Sequence, residues 1–248
     1  MASVVSVASV AEAARACSLP WLQVDVGAPS ALDDVQGTWR RLDDLTDTAA
    51  LKSQLDVVLA ECDGYRDVAL AFLAARFAWP LARLAAVPVV IWDRSLLFTP
   101  ANLWIRRDRR GLFNALRFDA VSLAAPGSAH ARAAGQAVKA YRPVVDGLGR
   151  LGGLGERALW GQLADAIVAT VGAVLGPDGD PVAASEHAGR LLRAADPPLW
   201  VLPEFARSEG KLVWRRGSCC LAYRLPRFAM CAGCPLQSRS AWLASAGG

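Results

Sequence analysis

A chain of 248 residues, 54% of them hydrophobic, can bury a substantial core, which excludes an intrinsically disordered protein. Its net charge of +4 is too small to favour nucleic acid as a partner. The longest apolar run, residues 68–92, is broken by Arg76, Arg83 and two prolines, so the sequence predicts no stable membrane insertion. No secretory signal is visible either, and we expect a cytoplasmic protein.

The first third of the chain has the apolar spacing of helices. The predicted helices cover residues 4–16, 33–41, 48–62 and 68–86. Thr48 is a candidate N-cap for the third of them. The pattern changes at residues 87–98, where β-branched and aromatic side chains around Pro88 predict an extended segment.

Two short strands around a polar turn are predicted next. Residues 103–107 and 112–118 flank a turn from Asp108 to Gly111, which is typical of a β-hairpin. Residues 121–123 are expected to extend the same sheet.

Helical spacing returns in the second half of the chain. The predicted helices cover residues 129–141, 156–175 and 182–194. The motif Gly147-x-Gly149-x-x-Gly152 has the form of a dinucleotide-binding fingerprint, but it follows no clear strand. No acidic residue lies about 20 positions further on either. We interpret these glycines as a helix break, so electrons are expected from a separate protein.

A second hairpin is predicted from residues 200–205 and 211–214, and its second strand leads directly into a group of cysteines. The predicted fold class is α+β: mostly helical, with a small antiparallel sheet or hairpins in the middle and a C-terminal Cys-rich cluster-binding segment. We expect a body over residues 1–198 and this C-terminal segment over residues 199–248, as two units or as one continuous domain.

Four cysteines crowd into sixteen positions near the end of the chain. Cys219 and Cys220 are adjacent, and a C-x-x-C pair, Cys231 and Cys234, follows after ten residues. Four thiolates suffice for a [2Fe–2S] cluster, a [4Fe–4S] cluster or a structural zinc. Adjacent side chains on extended backbone point to opposite faces, which suits a cluster better than a single tetrahedral ion. Zinc and disulfides remain open alternatives.

The cysteine segment, residues 215–236, resembles the signature of the FhuF-like ferric siderophore reductases. The similarity lies in the run from Arg215 through Arg-Gly-Ser-Cys-Cys-Leu-Ala-Tyr to Arg224, and in the second cysteine pair followed by Pro235 and Leu236. The resemblance implies that Cys219, Cys220, Cys231 and Cys234 ligate a [2Fe–2S] cluster. It also implies electron transfer to a ferric hydroxamate-type siderophore, bound by the helical body, in the cytosol.

Arginines close to the cysteines are candidates for tuning such a cluster. A cluster with four thiolate ligands is anionic and becomes more so on reduction, so nearby cations raise its potential. The candidates are Arg215, Arg216 and Arg224. Solvated surface charge is the alternative interpretation of all three.

The densest basic run of the chain lies on the first predicted hairpin and is a candidate docking surface for an acidic redox partner or for the siderophore. Its residues are Trp104, Arg106, Arg107, Arg109 and Arg110. The alternative interpretation is a solvated hairpin tip.

Reduction alone is sufficient to release iron from such a chelate. Hard oxygen ligands bind Fe(III) far more tightly than the softer, less charged Fe(II). No catalytic group beyond the cluster is therefore predicted, and the donor is expected to be a ferredoxin or an NAD(P)H-dependent reductase. The alternatives are an iron–sulfur redox or sensor protein of another class and a zinc-stabilised binding module.

Overall fold

The computed structural model describes residues 9–29, 37–108, 111–125, 127–195, 199, 201 and 203–245. Its α-helices are α1 Val10–Ala16, α2 Leu42–Thr46, α3 Thr48–Glu61, α4 Arg66–Trp92, α5 Ala129–Leu151, α6 Glu156–Leu175, α7 Pro181–Ala194 and α8 Arg239–Ser245. Its strands are β1 Gln23–Val26, β2 Thr38–Arg41, β3 Leu96–Leu97, β4 Leu103–Arg107, β5 Phe113–Phe118, β6 Ser122–Leu123, β7 Glu204–Ser208 and β8 Lys211–Arg215. The fold is α+β and mostly helical, which confirms the predicted class.

Helices α4 and α6 form the centre of the hydrophobic core. They pack against each other, and α5 packs on α4 with the shorter α3 and α7 around them. Leu70, Phe77 and Leu84 of α4 and Leu163 of α6 are each at most 1% exposed. Complete burial of one such side chain contributes about 1.5–3 kcal/mol, so this helix pair supplies a large share of the stability.

Helix α4 is longer than the sequence predicts. The expected extended segment at residues 87–92 is wrong, because the helix continues through Pro80 and Pro88 as far as Trp92. Each proline removes one helical N–H donor, but Val87, Val89 and Trp92 bury their side chains in the core. Tertiary burial thus outweighs the local preference of these residues for extended backbone.

The N-cap of one helix and the end of another also differ from prediction. The N-cap of α3 is Asp47 rather than Thr48, because the Asp47 carboxylate accepts hydrogen bonds from the N–H groups of Ala49 and Ala50 at 2.8 and 3.0 Å. Helix α5 continues ten residues beyond the predicted end at Tyr141, and Gly147 and Gly149 lie inside it. Gly147 and Gly149 therefore form neither a break nor a nucleotide-binding loop, whereas Gly152, the third glycine of the motif, does end the helix as its C-cap.

The predicted central hairpin is confirmed, and two unpredicted strands join it. Strands β4 and β5 are antiparallel, with Ile105 opposite Leu116. Strand β1 pairs parallel to β5 and β2 antiparallel to β4, so the sheet has the order β1-β5-β4-β2 and is mixed rather than antiparallel.

Strand β2 contradicts the helix predicted over residues 33–41, of which 33–36 lie outside the described residues. Its Trp39 is 8% exposed and contacts the guanidinium groups of Arg106 and Arg117, and this packing together with the pairing to β4 explains the extended conformation. Residues 122 and 123 also differ from prediction, because β6 pairs with β3 instead of extending the central sheet.

The second predicted hairpin is confirmed with a shifted first strand. Strand β7 pairs antiparallel with β8, Phe205 lying opposite Trp214. This hairpin contacts α6 and α7 and delivers the chain to the cysteine segment. The division of the chain at residue 198 stays a prediction.

Two helices, α4 and α6, are long and apolar enough by composition to cross a membrane. In each of them, 78% of the most apolar window is buried inside the protein. Buried core helices pass the same test of length and composition, so this property is weak evidence for a span.

A histidine pair between α5 and α7 predicts a loss of stability in weak acid. His130 and His187 stack with ring centroids 5.5 Å apart, and His130 is 5% exposed. Burial, Arg190 and His187 lower the pKa of His130 to about 4, against a smaller opposite effect of Asp93. In the unfolded chain, His130 takes up a proton near the ordinary histidine pKa of about 6.5. In the folded protein it stays neutral down to about pH 4.

Stability should therefore fall as the pH drops from about 6.5 to 4, by up to about 1.4 kcal/mol per pH unit from this group. Urea unfolding at pH 7, 6 and 5 measures the effect. A His130→Gln variant should lose less stability over this range than the unmodified protein. Equal losses in the two proteins would contradict the assignment to His130.

Candidate metal centre

The C-x-x-C loop folds back onto the end of β8, and this contact brings the two cysteine pairs together. The N–H of Arg216 donates to the carbonyl of Gly233 at 2.9 Å, and the N–H of Cys234 donates to the carbonyl of Cys231 at 2.9 Å. A Cβ atom at position 233 would lie 2.8 Å from the carbonyl oxygen of Trp214. Only glycine therefore permits this approach, which explains the residue between the two cysteines.

The four thiols of the segment influence one another. The thiols of Cys220 and Cys231 are in hydrogen-bond contact, which lowers the pKa of Cys220 to about 5 and raises that of Cys231. The charge of Cys234 acts on both Cys219 and Cys231. The N–H of Leu221 donates to Sγ of Cys219 at 3.3 Å, the kind of bond that stabilises a thiolate.

This donor set fits a cluster with four cysteine ligands. All six cysteines of the chain carry free thiols, and Cys17 and Cys62 are fully buried elsewhere in the core. Across the described ranges, no three His, Cys, Asp or Glu side chains are arranged as ligands of one metal ion. The four cysteines of the segment nevertheless lie close enough for their thiols to influence one another electrostatically.

A buried carboxylate on α6 holds the loop that precedes the first cysteine pair. Asp165 accepts hydrogen bonds from the N–H groups of Gly217 and Ser218 at 2.7 and 3.1 Å, and from the Ser218 hydroxyl at 2.5 Å. Its Oδ2 also lies 3.3 Å from Nε of Arg216. Burial raises the pKa of Asp165, while Arg216 and these hydrogen bonds oppose the rise.

Gln162, one turn earlier on α6, completes this network. Its Oε1 accepts from Arg216 at 3.0 Å, and its Nε2 donates to the carbonyl of Cys219 at 3.4 Å. Helix α6 and the loop are in close contact, since a Cβ at Gly161 would lie 2.5 Å from that of Ser218.

Neither Asp165 nor Gln162 was predicted from the sequence as part of the site. The sequence does contain a signal for Asp165, because this residue is the one carboxylate in the run from Leu159 to Gly172, which is buried throughout. A lone carboxylate in such a run requires a polar partner.

The three candidate tuning arginines have different environments. Arg216 acts electrostatically on Cys219, Cys220 and Cys231, favouring their thiolates. Arg215 pairs with Glu204 at 3.4 Å and donates to the carbonyls of Pro235 and Gln237, so it ties the segment to the hairpin. Arg224 pairs with Asp67 at the start of α4. A tuning role for these arginines stays a prediction.

The three described docking candidates, Trp104, Arg106 and Arg107, all lie on β4 but have different environments. Trp104 donates to Asp119 at 2.7 Å and stacks under Arg41. Arg106 is only 7% exposed and donates to Asn114 at 2.9 Å, so it does not belong to a solvated tip. Arg107 is half-buried, and burial together with Arg76 and Arg40 lowers its pKa. Arg109 and Arg110 lie outside the described residues.

A cavity of about 730 Å³ opens beside the cysteines, between α4, the central hairpin and the cysteine segment. We call it the α4 pocket. Its lining is Trp21, Phe72, Ala75, Arg76, Trp79, Asp108, Leu112, Phe113, Asn114, Arg216, Cys220 and Ala222. Cys220 therefore forms part of its wall. Cys219 lines a different groove, of about 420 Å³, with Gly155, Gly161 and Gly217.

Comparison with known proteins is informative for the cysteine segment alone. A family model described as the FhuF 2Fe-2S C-terminal domain matches residues 216–236, which include all four cysteines of the segment. The comparison with curated proteins gave no match. The family match confirms the prediction of a [2Fe–2S] cluster as the cofactor. Over this short segment, the chain is similar to the FhuF-like family.

Proposed function

We propose that this chain is a ferric siderophore reductase of the cytosol, which delivers single electrons to an Fe(III) chelate and releases Fe(II). The observation that carries the proposal is the position of Cys220. This residue belongs to the segment that matches a 2Fe-2S domain, and it also lines a pocket large enough for a small-molecule ligand. A substrate in this pocket would lie next to the redox centre.

The reaction balances with one electron and no covalent step on the protein. An external donor is oxidised by one electron, the chelated Fe(III) is reduced to Fe(II), and the freed siderophore oxygens take up protons from solvent. A [2Fe–2S] cluster, when bound, supplies one-electron chemistry. Arg216 places a positive charge beside Cys219, Cys220 and Cys231, where negative charge accumulates.

We propose a hydroxamate-type siderophore as the substrate and a ferredoxin or an NAD(P)H-dependent reductase as the donor. A separate donor is supported by helix α5, which contains Gly147 and Gly149 and so offers no nucleotide-binding loop at that motif. The proposal includes neither nucleic acid nor stable membrane insertion.

The test is a single-turnover experiment without oxygen. The cluster-loaded protein is reduced, freed of excess reductant and mixed with a ferric trihydroxamate chelate, and Fe(II) is trapped by a coloured ferrous chelator. We expect about one Fe(II) per reduced cluster, together with reoxidation of the protein. A protein that binds its cluster but releases no Fe(II) would contradict the proposal and favour a redox sensor. A colourless zinc protein would favour the binding module.

A further inference from the structure

One face of helix α4 is left open in the middle of the core. Between Val68 and Val89 every residue of the helix is buried except Phe72, Ala75, Arg76 and Trp79. Their spacing of three, four and seven residues places them on one side of the helix. All four line the α4 pocket.

Other aromatic and apolar side chains face this helical surface across the pocket. Leu112 and Phe113 come from the central hairpin, and Trp21, which is 51% exposed, comes from the turn before β1. The cysteine segment closes the end of the pocket with Cys220 and Ala222. The volume of about 730 Å³ lies within the range of about 300–1,000 Å³ that is typical of ligand sites.

The arginines in the lining already have carboxylate partners. Arg76 pairs with Glu61, and Arg216 pairs with Asp165. The third charged residue, Asp108, uses its carboxylate to accept from the N–H of Leu112 at 2.9 Å. Among the described residues, a further cation, Arg107, lies close to Arg76 but does not line the pocket. An anionic cluster at Cys220 would repel a highly negative ligand at that end of the pocket.

We infer that the α4 pocket is the binding site of the ferric chelate, and that Trp21 and Trp79 are its main aromatic contacts. The site selects a bulky chelate of zero net charge, such as an Fe(III) trihydroxamate, over a trianionic triscatecholate. This inference rests on the proposed function, because it assigns the place where that substrate binds.

Calorimetric titration with a redox-inert probe tests the site independently of electron transfer. The probe is the Ga(III) complex of a neutral trihydroxamate, added to the cluster-loaded protein. Removal of one aromatic contact in Trp21→Ala or Trp79→Leu is expected to weaken binding about tenfold. Ile91→Ala removes a side chain that is 38% exposed near the other end of α4, and it should bind like the unmodified protein.

The outcomes separate the binding site from the function. The assignment of the α4 pocket as the binding site would be overturned if the unmodified protein failed to bind the probe. It would also be overturned if the unmodified protein and both tryptophan variants bound the probe with equal affinity. The exposure of Trp21 makes Trp21→Ala informative even if Trp79→Leu misfolds. The Ga(III) triscatecholate should bind at least about tenfold more weakly than the trihydroxamate, and tighter binding would overturn the charge selectivity. If the protein bound the probe but did not reduce the Fe(III) chelate, the assignment of the binding site would stand and the reductase function would be contradicted.

Discussion

Replacement of Cys231 by serine is expected to remove most of the iron and sulfide from the protein and to abolish its visible absorption. Cys231 is the cysteine whose thiol contacts Cys220, so it connects the two cysteine pairs. A serine hydroxyl is a much weaker ligand than a thiolate, and one iron would keep only a single cysteine ligand. Counting iron and sulfide per chain after anaerobic purification, with an absorption spectrum, measures the effect.

The matched control is Cys17→Ala. Cys17 is fully buried beside α1, and burial raises the pKa of its thiol to about 12, so it is an inert part of the core. This variant should keep the metal content and spectrum of the unmodified protein. If Cys231→Ser also kept both, the ligand assignment would be wrong.

Replacement of Asp165 by alanine is expected to reduce the free energy of unfolding by about 3 kcal/mol and to impair cluster loading. The change leaves the N–H groups of Gly217 and Ser218 without their acceptor and Arg216 without its carboxylate partner. Donors buried without a partner are costly, and the loop before Cys219 loses its attachment to α6. Denaturant unfolding and iron content, measured on the same preparations, test both effects.

Asp56→Ala is the control for this prediction. Asp56 forms an ion pair with Lys52 on the exposed surface of α3, where both side chains are more than 60% exposed. Such pairs contribute about 0.3–0.5 kcal/mol, so this variant should unfold almost like the unmodified protein and load its cluster normally. A similar loss of stability in both variants would contradict the structural role of Asp165.

Local signals predicted those parts of the fold that local interactions determine. The central hairpin followed from a polar turn with Gly111 between two apolar strands, and the cysteine group followed from its spacing. Helix α6 was predicted with its observed bounds, because helical apolar spacing extends from Glu156 to Leu175 and a break that begins at Gly176 follows it.

Long-range contacts determine the elements that differ from the predictions. Pro88 and its β-branched neighbours favour extended backbone, yet burial against the rest of the core keeps them helical. Strand β2 depends on pairing with β4, and β1 on parallel pairing with β5, both far away in the chain. The α4 pocket likewise requires the hairpin and the cysteine segment to meet one helical face, which no local pattern predicts.

The composition of the metal centre tests the central claim most directly. The protein would be purified anaerobically from iron-replete cells, and iron, sulfide and zinc counted per chain, with absorption spectra before and after reduction. We predict about two irons and two sulfides and a visible spectrum that bleaches on reduction. Stoichiometric zinc in a colourless protein would contradict the account and remove its redox chemistry.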